Sequence, residues 1–253
     1  PDGAYSYLAY GDRLNQLPLG IIGIALGTAI LPSLSRMIAV ENTDGASRLQ
    51  SNAVELAMLL TVPAAVALYI TGSAFTRAFY VGGAFSIADA FTTGAVVSAL
   101  VVGLPAYVLV KVLIPNFFAR KDTRTPVYTA GASLLLNIAL NFLLVPRLGV
   151  IGLALAGALA AWSNVILLLI LLARKDYFKL TNRVYGRIAK IFVAAGLMGA
   201  ALYFVTPLGA DYYAGGVLER IAAILALVLV GAAVYFIAAV ALGVVSRSTI
   251  EQF

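Results

Sequence analysis

The sequence predicts an all-α fold, a polytopic membrane helix bundle of about seven transmembrane helices. Three observations predict it. Hydrophobic residues make up 62% of the 253 residues and charged residues only 11%, against about 45–50% and about 25% in a soluble domain. The apolar residues gather in seven runs, each long enough to cross a hydrocarbon core of about 30 Å as helix. The basic residues crowd onto alternate connections between those runs.

The runs are read at 5–38, 53–79, 88–117, 127–145, 150–173, 187–206 and 218–245. They are too long and too continuous for the alternating strands of an outer-membrane barrel. With the N-terminus outside, the connections 36–52, 118–126 and 174–190 and the tail lie inside. They carry Arg36, Arg48, Arg120, Lys121, Arg124, Arg174, Lys175, Lys179, Arg183, Arg187, Lys190 and Arg247, twelve of the 17 Lys and Arg. The opposite side carries Arg77, Arg147 and Arg220. The bias sets the expected orientation, and it accounts for the net charge of +6 as a rim facing anionic lipid, with no nucleic-acid partner.

The opening residues Pro1-Asp2-Gly3 run straight into the first span, with no basic stretch or cleavage site before it. The expectation is a piece of a longer bundle with an N-terminal part before it. A short polar tail, Ser246 to Phe253, is expected to be a natural end.

The first span carries the most polar stretch, Tyr10-Gly11-Asp12-Arg13-Leu14-Asn15-Gln16-Leu17-Pro18. A charge inside a membrane is costly and marks a candidate site. An arginine fork facing a cavity suits a phosphate or diphosphate. The plainer alternative is Arg13 at the outer interface, paired with Asp12 and reaching for water. The connector 41–52 reads as polar and interfacial.

Pro63 falls in the second span, and Gly103, Pro105 and Pro115 in the third. Each proline removes a helical hydrogen bond. Pro18, Pro105 and Pro115 are the candidate hinges, and their clustering suits a bundle that bends or lines a cavity. Lys111 either reaches to the inner interface or helps hold an anionic headgroup. In the loop before the fourth span, Asp122 or Thr125 could cap the helix that Pro126 opens.

Asn137 and Asn141 share one face of the fourth span, as an interhelical polar pair or as oxygen ligands of a small cation such as Na⁺. Small residues recur four apart at Gly23/Gly27, Gly152/Ala156/Ala160 and Ala195/Gly199, which reads as close helix packing. The sixth and seventh spans are apolar through their centres, with Tyr203, Tyr212, Tyr213 and Tyr235 as candidate interface anchors. With no His and no Cys, thiolate chemistry, disulfides and Cys/His zinc sites are excluded within this chain. No acid cluster or nucleophile–base pair points to an enzyme, and no cofactor or metal site is expected.

Two stretches resemble the MurJ/MviN lipid II flippases. The first runs from Tyr10 through Asp12-Arg13 and Leu17-Pro18-Leu19-Gly20 to Leu31-Pro32-Ser33-Leu34-Ser35-Arg36. The second is Lys111-Val112-Leu113-Ile114-Pro115-Asn116-Phe117-Phe118-Ala119-Arg120-Lys121-Asp122-Thr123-Arg124-Thr125-Pro126. The resemblance implies the C-terminal lobe of a fourteen-helix exporter of the multidrug, oligosaccharidyl-lipid and polysaccharide superfamily, in the bacterial inner membrane. It implies alternating-access transport of lipid II, an undecaprenyl-diphosphate-linked peptidoglycan precursor, with an N-terminal lobe and membrane lipids as partners. Arg13 would be this lobe's cavity arginine, with Lys111 and Asp12 as further substrate-binding candidates.

The resemblance implies a division into 1–173, a five-span transport bundle, and 174–253, whose last two spans would form a groove for the lipid tail, plus the C-terminal tail. A departure accompanies the match. The carboxylate of a family sodium site is missing from the fourth span, where Asn141 stands instead. Coupling to Na⁺ or to the membrane potential is left open. A related exporter of another lipid-linked sugar or drug, or a non-transporting scaffold, is the alternative.

Overall fold

The computed structural model describes residues 3–244; Pro1, Asp2, Val245 and the tail with Arg247 lie outside the described residues. The helices are α1 (Ala4–Ala39), α2 (Thr43–Tyr80), α3 (Ile87–Val101), α4 (Leu104–Phe118), α5 (Arg124–Leu148), α6 (Val150–Arg174), α7 (Asn182–Val205) and α8 (Val217–Ala241). Two 3₁₀ turns, Thr206–Gly209 and Tyr212–Ala214, join α7 to α8. Among the described residues seven segments are long and apolar enough to cross a membrane, with α3 and α4 forming one of them. They run alternately up and down. One end, called the basic end below, holds the connections α1–α2, α4–α5 and α6–α7.

Two elements differ from expectation. The second span does not begin at 53 after an interfacial connector. α2 runs unbroken for 38 residues from Thr43, about 57 Å of helix against a hydrocarbon core of about 30 Å. Asn42 caps it by accepting from the Gly45 N–H at 2.8 Å, and no proline interrupts 43–52. Polarity marks only that this turn-rich end leaves the hydrocarbon, not that the helix stops.

The third span is broken. α3 ends at Val101 and α4 starts at Leu104, so Pro105 lies in the first turn of α4, where no N–H is needed. The interruption is therefore at Val102–Gly103, just before Pro105. The carbonyl of Val102 accepts instead from the Trp162 indole N–H of α6 at 2.9 Å. Gly103 sits so close to α6 that a Cβ there would lie 2.9 Å from the Ala158 Cα. By contrast Pro18 and Pro32 lie inside an unbroken α1, Pro63 inside α2, and Pro115 near the end of α4.

α2 is the central post, packed against α1, α3, α4, α7 and α8. The main core includes Leu34, Met58, Leu113, Phe117, Leu168 and Ile191, so α7 joins the same core as the first spans across residue 173. Small residues set the closest approaches. A Cβ on Gly199 would come 2.8 Å from Val66 of α2, and one on Gly152 would come 2.6 Å from the Leu144 carbonyl oxygen in the α5–α6 hairpin. Of the four tyrosines, Tyr203 and Tyr212 are exposed. Tyr213 is buried and donates to the Thr206 carbonyl, and Tyr235 donates inward to the Leu59 carbonyl. Those two fasten the bundle rather than anchor it at an interface.

Polar ties hold the basic end together. Gln50, fully buried, donates to the Val112 carbonyl at 3.0 Å and accepts from Asn116. Arg120 donates to Asn116 and to the Tyr177 carbonyl, with its guanidinium 4.6 Å above the Tyr177 ring. Asp122 caps α5 by accepting from the Thr125 N–H and hydroxyl, and pairs with Lys175 at 2.6 Å. Burial pushes the Asp122 carboxyl up, but the bonds from Lys175 and Thr125 outweigh it and hold it at about 2. The bond from Asp122, against an opposing desolvation, raises Lys175 above its ordinary value.

Two outcomes are expected. Gly152→Val should destabilise the full-length protein by about 1–3 kcal/mol through overpacking, read as a lower melting temperature in detergent. Gly131→Val, which meets nothing within 4 Å, should leave it unchanged. Because the Asp122 carboxyl is depressed, its stabilisation is complete above the ordinary carboxylate range and is lost as pH falls through about 2. The melting difference between the parent and Asp122→Asn should therefore persist from about pH 8 down to about pH 5, and a difference that vanished near pH 5 would contradict the ion pair.

Candidate functional site

Charged side chains inside the spans cluster near the far half of α1. Asp12, Asn15, Gln16, Leu19 and Gly20 recur at helical spacing and face Leu100 of α3 and Tyr107 and Lys111 of α4, around a cavity of about 450 Å³. The structure therefore brings Asp12 and Lys111 to one cavity. Asp12 accepts from Gln16 one turn on. Lys111 has no hydrogen-bond or ion-pair partner among the described residues, and its stem lies against α1 where Gly23 makes room. A Cβ at Gly23 would fall 3.1 Å from Lys111 Cδ and 3.2 Å from Nζ. Asn15 is 2% exposed, and its Oδ1 is buried without a partner. Such an acceptor costs free energy until a donor reaches it.

Arg13 does not line that cavity. Its neighbour Asp12 points about 100° away around the helix, and the two form no ion pair. The exposed guanidinium instead sits 5.6 Å from the Tyr10 ring centre, a cation–π distance. Tyr10 belongs to an aromatic shelf, with Tyr80 at 4.8 Å and Phe85 at 5.4 Å between ring centres. The Arg13 guanidinium thus rests beside an aromatic ring and has no hydrogen-bond or ion-pair partner among the described residues.

Asn137 and Asn141 lie on α5 and do not line the cavity, though Asn137 comes near Tyr107, which does. Asn141 Nδ2 donates to Asn137 Oδ1 at 2.6 Å, and Asn141 Oδ1 is buried without a partner. One uncommitted oxygen does not make the several-oxygen shell a hard cation wants, and no group of three or more acidic residues stands together among the described residues. The pair does not fit a sodium site as arranged. Beside it, the missing Cβ of Gly157 leaves a gap 3.4 Å from the Tyr107 hydroxyl and 3.9 Å from Asn137 Nδ2.

Tyr107 was not among the sequence candidates, although its place four residues before Lys111 puts both on one face of α4. Asn15 stood in the polar stretch but carried no signal of burial. An apolar cavity of about 390 Å³ lies between α1, α2, α7 and α8, walled by Leu14, Pro63, Phe75, Leu202 and Tyr235 among others.

Fold and cavity together define a multi-pass helical membrane protein with an unneutralised arginine and lysine among its first spans. Comparison with known proteins narrows the class. The model of the family "Lipid II flippase MurJ" matches residues 1–245. "Probable lipid II flippase MurJ" of Rhizobium meliloti (strain 1021) is 37% identical over 99% of this chain and 47% of its own length. "Lipid II flippase MurJ" of Burkholderia cenocepacia is 32% identical over 92% of this chain and 46% of its own. A solved structure, "Lipid II flippase MurJ, inward closed conformation", superposes with a TM-score of 0.75 at 26% identity, covering 94% of this chain and 47% of that one. The chain belongs to the lipid II flippase MurJ family. It spans about half the length of the curated relatives it matches.

The Gly23–Lys111 contact is testable. Gly23→Leu should displace the lysine stem and mimic Lys111→Ala in any transport assay of the full-length protein. Gly20→Ala, with nothing within 4 Å, should behave as the parent. Parent-like transport by Gly23→Leu would remove Lys111 from the site.

Proposed function

We propose that this chain is the C-terminal lobe of a flippase that moves lipid II, or a closely similar polyprenyl-diphosphate lipid, across the bacterial inner membrane by alternating access. One observation carries the reading: in a chain that matches the family along its length, Arg13 presents an unpaired guanidinium beside a polar cavity that also holds Lys111. The work is binding and release without covalent chemistry, so the protein is a transporter and not an enzyme.

The steps follow from charge and solvent. A diphosphate entering the cavity is drawn to these cations, and more strongly once a partner lobe shuts water out. The Arg13 fork donates two parallel hydrogen bonds to its oxygens. Lys111 adds a point charge, while Asp12, Asn15 and Tyr107 offer acceptors and a hydroxyl to the sugar or peptide part of the headgroup. The prenyl chain stays in apolar surroundings, for which the cavity between α1, α2, α7 and α8 is suited. A partner N-terminal lobe closes the cavity, and the lobes rock about it. The break at Val102–Gly103 and the prolines at 18, 105 and 115 are the places where the spans can bend. The basic end faces the cytoplasm, following the charge bias. Neither Na⁺ nor any cofactor is given a step.

The test is rescue of cells depleted of their lipid II flippase by the full-length protein. The parent should rescue. Arg13→Ala, which loses charge-assisted bonds worth about 1.5–3 kcal/mol each, should not rescue at equal expression. Rescue by both would remove Arg13 from the site, and failure of the well-expressed parent would overturn the flippase reading.

A further inference from the structure

A separate cavity of about 430 Å³ opens near the basic end between α1, α2 and α7. Its chemistry is graded. α1 runs toward the basic end while α2 and α7 run away from it, so Leu26, Leu59 and Ile191 lie deepest along their helices. Ser33, Leu49, Asn52 and Arg183 lie nearest the end, with Glu55 and Arg187 about one turn deeper. An apolar depth beneath a polar, cationic mouth matches an amphiphile, and the volume is within the usual range of about 300–1,000 Å³ for ligand sites.

The two arginines are not equivalent. Arg187 is fixed by an ion pair with Glu55, whose side chain is only 12% exposed. Arg183, one turn earlier, is exposed and has no hydrogen-bond or ion-pair partner among the described residues. It sits in the first turn of α7, which has no acidic residue and no side-chain cap on its free N–H groups. The positive end of a helix dipole favours an anion, yet here the chain places a cation. With Glu55 balancing Arg187, the described lining residues leave one net positive charge, the complement of a phosphodiester.

We infer that this cavity binds the phosphate headgroup of an anionic lipid from the leaflet at the basic end. Arg183 holds the phosphate as a bidentate donor, the Glu55–Arg187 pair forms a fixed wall, and one acyl or prenyl chain fills the space between Leu26, Leu59 and Ile191. The site is distinct from the polar cavity at Asp12. Ser33, which lines it, is 20 residues beyond Arg13 on α1, about 30 Å along the helix. The inference needs only the membrane placement of the chain, so it stands or falls apart from the flippase reading.

Purified full-length protein is titrated in nanodiscs of phosphatidylcholine with phosphatidylglycerol and, separately, with undecaprenyl monophosphate, and bound lipid is counted by native mass spectrometry. The parent should retain either anionic lipid in preference to phosphatidylcholine. Arg183→Ala should weaken that retention about tenfold, the loss of one charge-assisted contact, at unchanged melting temperature. Arg183→Lys should recover part of it, and Leu59→Trp should block the chain end. Weakening for phosphatidylglycerol assigns a membrane phospholipid; weakening for the prenyl phosphate alone assigns a substrate-like lipid to the same site. Retention by Arg183→Ala equal to the parent for both lipids overturns the site, as does a parent with no preference for anionic lipid.

Discussion

The bond from the Trp162 indole to the Val102 carbonyl is the contact on which the arrangement of the cavity depends. In hydrocarbon a freed carbonyl has no water to turn to. A span interrupted at Val102–Gly103 is stable only because α6 supplies the donor and, at Ala158, a surface close enough to need glycine. The interruption lets α4 start on a new line. That line sets Tyr107 and Lys111 against α1 at Asp12, Asn15 and Gly23. Without the indole, the same stretch would have either to continue as one helix through Pro105 or to bury an unmet carbonyl.

The cations of the chain divide by what holds them. Arg77 donates to the Ala210 carbonyl at 2.8 Å and lies over the rings of Phe91 and Tyr213. Arg220 donates to Val81 and Gly215 carbonyls at 2.8 Å. These two clip the α7–α8 connection onto α2, while Arg120 and Lys175 do the same for the α6–α7 connection at the basic end. Their charge is spent on main-chain carbonyls and a carboxylate. Arg13 and Lys111 differ: they lie within the spans and form no ion pair among the described residues, although Asp12 lines the cavity at Lys111. A charge left unneutralised there is expensive, and the expense is explained when an anion is the missing partner.

How much of this was legible in the sequence follows the range of the forces involved. The seven spans could be read because burial of apolar surface in lipid is a local property of each run. The start of α2 was missed because composition reports where lipid ends, whereas the helix continues until a cap such as Asn42 ends it. Gly103 and Pro105 were visible as breakers, as were Pro18 and Pro63. Which would interrupt a helix depended on Trp162, some 60 residues away. The same holds for the site. Arg13 and Lys111 stood out as charges in apolar runs, but the meeting of Lys111 with Asp12, and its separation from Arg13, come from the packing of α4 on α1. Arg183 was hidden among residues that set orientation, since only the fold shows a cavity behind it.

Arg13 and Lys111 therefore sit differently in this chain. Arg13 rests on Tyr10 and projects from an exposed face of α1, so it can engage a ligand lying outside this chain's own packing. Lys111, also exposed, lies against Gly23 with its ammonium at an open cavity lined by α1, α3 and α4. A small anion would satisfy one and leave the other unpaired. On the proposed flippase reading, two cations on different faces suit a ligand with more than one polar group.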